Sequence, residues 1–332
     1  MIELSHLTKR YGEHLAVSDL SITVDSGQIY GFLGPNGAGK TTTMNIMTGC
    51  LSATEGSVRI NGYDIFEEPE QAKKLIGYLP EQPPLYMNET PEEYLRFVGE
   101  AKGLRGTGLS RQIDEVICQT GIGNVARRCI SALSKGYKQR VGIAQALLGN
   151  PKVIILDEPT VGLDPIQIIE IRDLIRELGQ THTVIFSSHI LSEVQAICDQ
   201  IIMIARGKLI AFDAAENLEK LLLSPNEITI LSDGSPAQVR EILEGLIHII
   251  TFVSVEEAGE GYTSARIRTG CENVYELSRA VFSAFAASGT ALLEMAVKKA
   301  NLEDIFLELA DLEEPEPPAV EVKTAESEVA EE

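Results

Sequence analysis

Eight residues near the start of the chain, Gly34-Pro35-Asn36-Gly37-Ala38-Gly39-Lys40-Thr41, fit the pattern G-x-x-x-x-G-K-[ST]. Each residue type answers a chemical need. Glycines let successive backbone N–H groups turn inward around phosphate oxygens without a Cβ clash. A helix starting at the lysine adds a favourable field for anions. The Lys40 ammonium can reach β- and γ-phosphates, and the Thr41 hydroxyl can ligate Mg²⁺. A predicted strand precedes the segment and a predicted helix follows it, which is the context the motif requires.

A second constellation is Lys152-Val153-Ile154-Ile155-Leu156-Asp157-Glu158, an aliphatic strand delivering two acids at its C-terminal end. Open α/β sheets bind ligands at that end. Neighbours on a strand point to opposite faces, so the two acids should do different work. Asp157 would hold Mg²⁺, and Glu158 would take the proton of an attacking water. Alone, the pair would read as a solvated strand end; behind a phosphate loop it reads as chemistry. A third aliphatic run, Val184-Ile185-Phe186-Ser187-Ser188-His189, puts a histidine at the same end of a neighbouring strand, where it would meet a γ-phosphate. His6, His14, His182 and His248 have no such placement.

These side chains need a frame. Ile2–Leu7 and Leu20–Val24 alternate apolar and polar residues, as half-buried antiparallel strands do. Gln28–Leu33 reads as a buried run ending in a glycine loop, and Val153–Leu156 and Thr183–Phe186 are short aliphatic runs, expected for central parallel strands covered on both faces. Helices are predicted over Lys40–Leu51, Pro91–Lys102, Ser110–Thr120, Tyr137–Leu148 and Pro165–Leu178. The pattern is a three-layer α/β fold with an antiparallel β portion at its start. A turn-rich step at Leu223-Ser224-Pro225-Asn226 divides the chain. Beyond it we expect strand Glu227–Leu231, helix Pro236–Glu244, strands Ile247–Val255 and Tyr262–Arg268, helix Asn273–Ala287 and strand Ala291–Val297. That β-α-β-β-α-β order is the split, ferredoxin-like arrangement. A last helix is expected over Leu302–Leu309. The expected division is therefore 1–223, an accessory α+β unit over 224–312, and a tail over 313–332.

Composition removes other functions. The 332 residues carry 28 Lys and Arg against 49 Asp and Glu, a net charge of −21. An acidic chain without a basic tract is a poor nucleic-acid binder, because such binding relies on neutralising phosphates. The tail from Glu313 holds eight glutamates and one lysine with no aromatic residue, a composition expected to be disordered. Five cysteines, none in CxxC spacing, argue against a disulfide framework or zinc site and fit a reducing cytosol. The opening MIELSHLTKR lacks the apolar core of a signal peptide. No uncharged apolar stretch reaches the ~20 residues that cross a bilayer.

In motif content and order, the sequence resembles the ATP-binding subunits of ABC transporters over about Met1 to Phe212. Tyr11 sits where an aromatic stacks on adenine. GPNGAGKTT, which runs on to Thr42, is similar to the Walker A loop. Gln82 in YLPEQPP matches the glutamine that links nucleotide and metal to the membrane subunit. LSKGYKQR from Leu133 resembles the signature motif, VIILDEP the Walker B strand, Val161-Gly162-Leu163-Asp164 the D-loop, and His189 the switch histidine. The signature departs from LSGGQ at Lys135 and Tyr137 but keeps Ser134 and Gly136. LSKGY with RVGIAQALL, and the later NLEDIFL, look like an export-type branch that includes gliding-motility and multidrug-like systems.

The resemblance implies an ATPase with ATP and Mg²⁺, working as a head-to-tail pair at the inner face of the membrane, with a separate permease subunit. Glu158, His189 and Gln82 would be catalytic. Thr41, Gln82 and Asp157 would serve the metal, and Ser134 and Gly136 would reach nucleotide on the opposite chain. The apolar segment Pro83-Pro84-Leu85-Tyr86-Met87-Asn88 would either dock the permease or pack as a core loop.

Overall fold

The structure is a computed structural model that describes residues 1–214, 216–218, 226–246, 250–259, 261–269 and 274–298. Strands β1 (Ile2–Tyr11), β2 (His14–Val24), β4 (Glu55–Ile60) and β5 (Tyr63–Asp64) form an antiparallel sheet in the order β2-β1-β4-β5. A second sheet runs β10-β9-β3-β8-β7-β6, from β3 (Ile29–Leu33), β6 (Ile76–Leu79), β7 (Val153–Leu156), β8 (Thr183–Ser188), β9 (Gln200–Ala205) and β10 (Lys208–Asp213). All its pairings are parallel except β9 with β10.

The aliphatic runs divide their side chains between two cores. Ile154, Leu156, Val184 and Phe186 join one cluster with α3 (Pro91–Ala101), α4 (Gly106–Gln119), α5 (Lys135–Leu147) and α6 (Pro165–Gly179). Val153, Ile155 and Ile185 join another with the antiparallel sheet, α1 (Lys40–Met47) and α2 (Pro69–Lys73). The two-residue period of a strand requires this split, which is why a doubly covered strand is apolar at successive positions along most of its length. The loops at the C-terminal ends of β3, β7 and β8 then emerge side by side.

Boundaries differ from expectation for local reasons. Helix α1 stops at Met47, not Leu51, because Gly49 follows at φ 67, a left-handed stop. Helix α5 starts two residues early, at Lys135, with the Ser134 hydroxyl accepting from the Tyr137 N–H as its cap. Helix α4 starts at Gly106 rather than Ser110, over Gly106-Thr107-Gly108, which carries no apolar period to announce it. Helix α3 begins as predicted, held by a reciprocal capping box between Thr90 and Glu93.

A third sheet, wholly antiparallel, has the order β12-β13-β11-β14. Its strands are β11 (Asn226–Ser232), β12 (Thr251–Glu257), β13 (Thr263–Thr269) and β14 (Leu292–Lys298). Helix α8 (Pro236–Glu244) follows β11 and α9 (Val274–Ser288) follows β13, so the element order is the expected β-α-β-β-α-β. Ile228, Ile230, Val239, Leu243, Ile267, Val281 and Phe285 form its core. The strand expected from Ile247 begins at Thr251. The helix expected over 302–309 and the acidic tail lie outside the described residues.

Candidate active site

The phosphate-loop segment links β3 to α1, with Gly39 as the cap of α1 at φ 101. Only glycine tolerates that conformation readily, and a Cβ there would lie 2.5 Å from the Ala16 carbonyl oxygen. Lys40 is 5% exposed. Its ammonium folds back over the loop, donating to the Gly34 carbonyl at 2.6 Å and the Pro35 carbonyl at 3.3 Å. It also pairs with Glu158 Oε1 at 3.2 Å.

Asp157 and Glu158 leave the end of β7 and diverge. Asp157 is fully buried; its Oδ1 accepts from the Ser187 hydroxyl at 2.6 Å. That hydroxyl oxygen accepts in turn from the Glu158 N–H at 2.7 Å. Burial pushes the Asp157 carboxyl above its usual range, opposed by the Ser187 and Thr41 hydroxyls. Its Oδ2 is buried with no hydrogen-bond partner. A buried carboxylate oxygen without a donor suits a cation, and Mg²⁺ is commonly held by one or two carboxylates plus substrate phosphates. Thr41 and Asp157 thus fit as its protein ligands.

Glu158 adopts φ 46, a left-handed conformation rare outside glycine that costs about 1–3 kcal/mol. The turn aims the carboxylate sideways, so Oε1 meets Lys40 and Oε2 meets His189 Nδ1 at 3.0 Å. His189 stands just past the end of β8. Lys40, Glu158 and His189 line one cleft of about 400 Å³, together with Tyr11, Pro35, Asn36, Gly37, Gly39, Thr41 and Thr42. Tyr11 is 49% exposed at the rim, with the Lys9 ammonium 5.3 Å from its ring centroid.

Not every expected residue joins the cleft. Gln82 is exposed and does not line it; the adjacent Glu81 does. Gly34 and Ala38 shape the loop from behind, and Asp157 lies beneath the surface. Ser134 and Gly136 sit at the start of α5, away from Lys40, where Gly136 lines a separate cleft with Arg140, Asp164 and Glu170. Both departures in that segment have neighbours within the chain. Lys135 lies across Gly162, since a side chain there would strike its ammonium. The Tyr137 hydroxyl accepts from Asn124 Nδ2 at 2.8 Å. Sequence reasoning missed Ser187, which sits between the two acids. Register alone reveals it: Leu156 pairs with Phe186, which sets residue 187 beside residue 157.

The docking segment divides. Leu85 is 9% exposed and packs into the core, whereas Tyr86 and Met87 are 49% and 46% exposed. Tyr86 rests against Phe97 and Tyr94, with ring centroids 5.0 and 5.7 Å away. Among the described residues no helix is long and apolar enough to cross a membrane.

Residues 17–161 match the family described as ABC transporter. The chain is 34% identical over 315 residues to an uncharacterized ABC transporter ATP-binding protein, YxlF, of Bacillus subtilis (strain 168), covering 93% of this chain and 99% of YxlF. It is 35% identical to the bacitracin transport ATP-binding protein BcrA of Bacillus licheniformis, covering 93% of this chain and 97% of BcrA. A solved dimeric ATP-binding cassette in a post-hydrolysis state, bound to ADP and Pi, superimposes with a TM-score of 0.59 at 26% identity, covering 64% of this chain and 98% of that one. With 34% identity to an ABC transporter ATP-binding protein over nearly the whole of both chains, and with Lys40, Glu158 and His189 gathered in one cleft, the chain belongs to the ATP-binding subunits of ABC transporters.

Proposed function

We propose that this chain hydrolyses ATP to energise export of a substrate through a separate permease subunit. The observation that carries this reading is the convergence of Lys40, Glu158 and His189 in one cleft, over a buried Asp157 with one free oxygen. Phosphoryl transfer needs positioning and charge stabilisation more than covalent chemistry, and these residues supply both. In this reading Lys40 and the loop N–H groups hold the β- and γ-phosphates. Thr41 and Asp157 would hold Mg²⁺, which would supply positive charge to offset that of the phosphates. Glu158 takes a proton from water as its oxygen attacks the γ-phosphorus and the bond to the β-phosphate oxygen breaks. His189 contacts the γ-phosphate and steadies Glu158. Tyr11 stacks on the base.

The site is completed by pairing. Ser134 and Gly136 lie away from their own cleft and would serve the nucleotide of a second ATP-binding subunit, so hydrolysis would require closure of the pair. Gln82, outside the cleft, would relay that closure to the permease together with Tyr86 and Met87. We divide the chain at 223 and 312 into ATP-binding unit, accessory unit and tail. Attachment to the inner face of the membrane would come through the permease. Export rests on the likeness to BcrA, named for bacitracin transport, and on the signature-segment resemblance.

A tagged pull-down from detergent-solubilised membranes of the source cell tests the proposal. A stoichiometric polytopic membrane protein is the expected result. Recovery as a wholly soluble species without such a partner would overturn it in favour of a soluble ATPase or nucleotide-dependent regulator.

A further inference from the structure

Glu193, in α7 (Leu191–Ile197), is a buried carboxylate that no step above uses. It is 4% exposed. Its Oε2 accepts from the Thr160 hydroxyl and from the Ser188 hydroxyl, both at 2.8 Å. Thr160 and Ser188 are themselves buried. Thr160 lies two residues after Glu158, and Ser188 immediately precedes His189. One carboxylate oxygen thus ties together the two chain segments that present the Glu158–His189 pair.

The placement has a physical logic. Glu158 holds a left-handed backbone conformation, which persists only where surrounding contacts over-determine it. Ser187 fixes it from one side through the Glu158 N–H. Thr160 fixes the far side of the same turn, where the Val161 N–H also returns to the Glu158 carbonyl at 3.2 Å. Ser188 receives the Ile190 N–H at 3.0 Å, so the segment bearing His189 is anchored at the same point. A buried carboxylate is costly unless hydrogen-bonded, and both of these donors come from the catalytic segments.

We infer that Glu193 is a positioning residue for hydrolysis, setting the approach of His189 to Glu158 by gripping Thr160 and Ser188. The inference rests on the catalytic reading of Glu158. An amide oxygen can accept both hydroxyls, whereas alanine takes this acceptor from Thr160 and leaves Ser188 only the Ile190 carbonyl at 3.4 Å. The test is steady-state ATPase kinetics on the full chain, with kcat expressed per nucleotide-binding site titrated by a fluorescent ATP analogue. That normalisation removes any loss of folded protein. Glu193→Ala should lower kcat per site by about tenfold or more with KM for ATP within about twofold, the signature of lost alignment rather than lost binding. Glu193→Gln should recover to within about threefold of wild type.

An alanine variant at wild-type kcat per site, or a glutamine variant as slow as alanine, overturns the inference. If Glu193→Ala does not fold, Thr160→Val and Ser188→Ala each remove one half of the grip and should each lower kcat per site by about threefold or more. Wild-type rates in both would overturn it. Glu158→Gln, measured alongside, separates the two readings. If Glu158→Gln is slow while the Glu193 set is unaffected, only the positioning role fails. If Glu158→Gln turns over normally, the catalytic reading itself fails.

Discussion

Lys40 Nζ and Glu158 Oε1 approach to 3.2 Å across the cleft, with both side chains almost wholly buried. The cation proposed to hold phosphate and the carboxylate proposed to take a proton from water hold each other in place. A triphosphate would therefore meet Lys40 already positioned by two loop carbonyls and by its acidic partner.

Glu158→Gln should bind MgATP at least as tightly as wild type, because Lys40 loses a competing carboxylate and keeps its loop carbonyls. Hydrolysis should slow by about 10²-fold or more, since the proton acceptor is gone. Calorimetry and a phosphate-release assay check the two halves separately. Near wild-type turnover would remove Glu158 from its role.

Lys40→Ala should weaken ATP binding by about tenfold or more, the order expected for a charge-assisted hydrogen bond. It also strands Glu158 in a buried setting, so the melting temperature should fall. Unchanged affinity by calorimetry would contradict the assignment of Lys40.

Serine at both Tyr86 and Met87 should leave the fold and the chain's own ATPase intact while uncoupling transport, because both side chains are about half exposed. Leu85→Ser should instead destabilise the chain by about 2–5 kcal/mol, since that side chain is in the core. Circular dichroism melts of the two variants distinguish surface from core. A collapsed melt for the Tyr86/Met87 variant would assign those residues to packing.

Lys102 gives a pH-dependent prediction. Its ammonium donates to the carbonyls of Gln145, Ala146 and Leu148, which end α5. Although the residue as a whole is exposed, desolvation of the ammonium where it meets these carbonyls pushes its pKa down from 10.5 to about 8. The folded value lies below the unfolded one, so the cost of burying the charge is fully present below about pH 8. That cost is relieved as pH rises towards 10.5. Urea unfolding of wild type and Lys102→Met at about pH 7.5 and about pH 9.5 should show wild type gaining relative stability at the higher pH. An identical difference at both values would refute the shift.

Local pattern explains what the sequence revealed. The phosphate loop, the end of β7 and the histidine after β8 are each contiguous motifs, and aliphatic runs locate the strands that carry them. Their convergence also follows, because parallel strands present their C-terminal ends on one side. What escaped was set by register and loop path. Ser187 matters through its neighbour on β7, and Glu193 through hydroxyls 33 and 5 residues away. Gln82 and Glu81 are adjacent, and only the loop's course decides which faces the cleft. The neighbours of Lys135 and Tyr137, Gly162 and Asn124, lie outside the helix that carries them, so their types alone gave no direction.

Gly39 and Gly207 both press against the Ala16 carbonyl oxygen on β2, where a Cβ would lie 2.5 and 2.7 Å away. Gly207 further exchanges backbone hydrogen bonds, donating to Ala38 at 3.0 Å and accepting from Ser18 at 2.8 Å. Main chain thus meets main chain with no side-chain cushion between the phosphate loop, the antiparallel sheet and the β9–β10 turn. Mechanically this makes the loop a rivet rather than a hinged flap. A pull exerted on it by a bound nucleotide would pass directly into the backbones of both sheets, so whatever motion it drove would displace whole slabs rather than bend a loop.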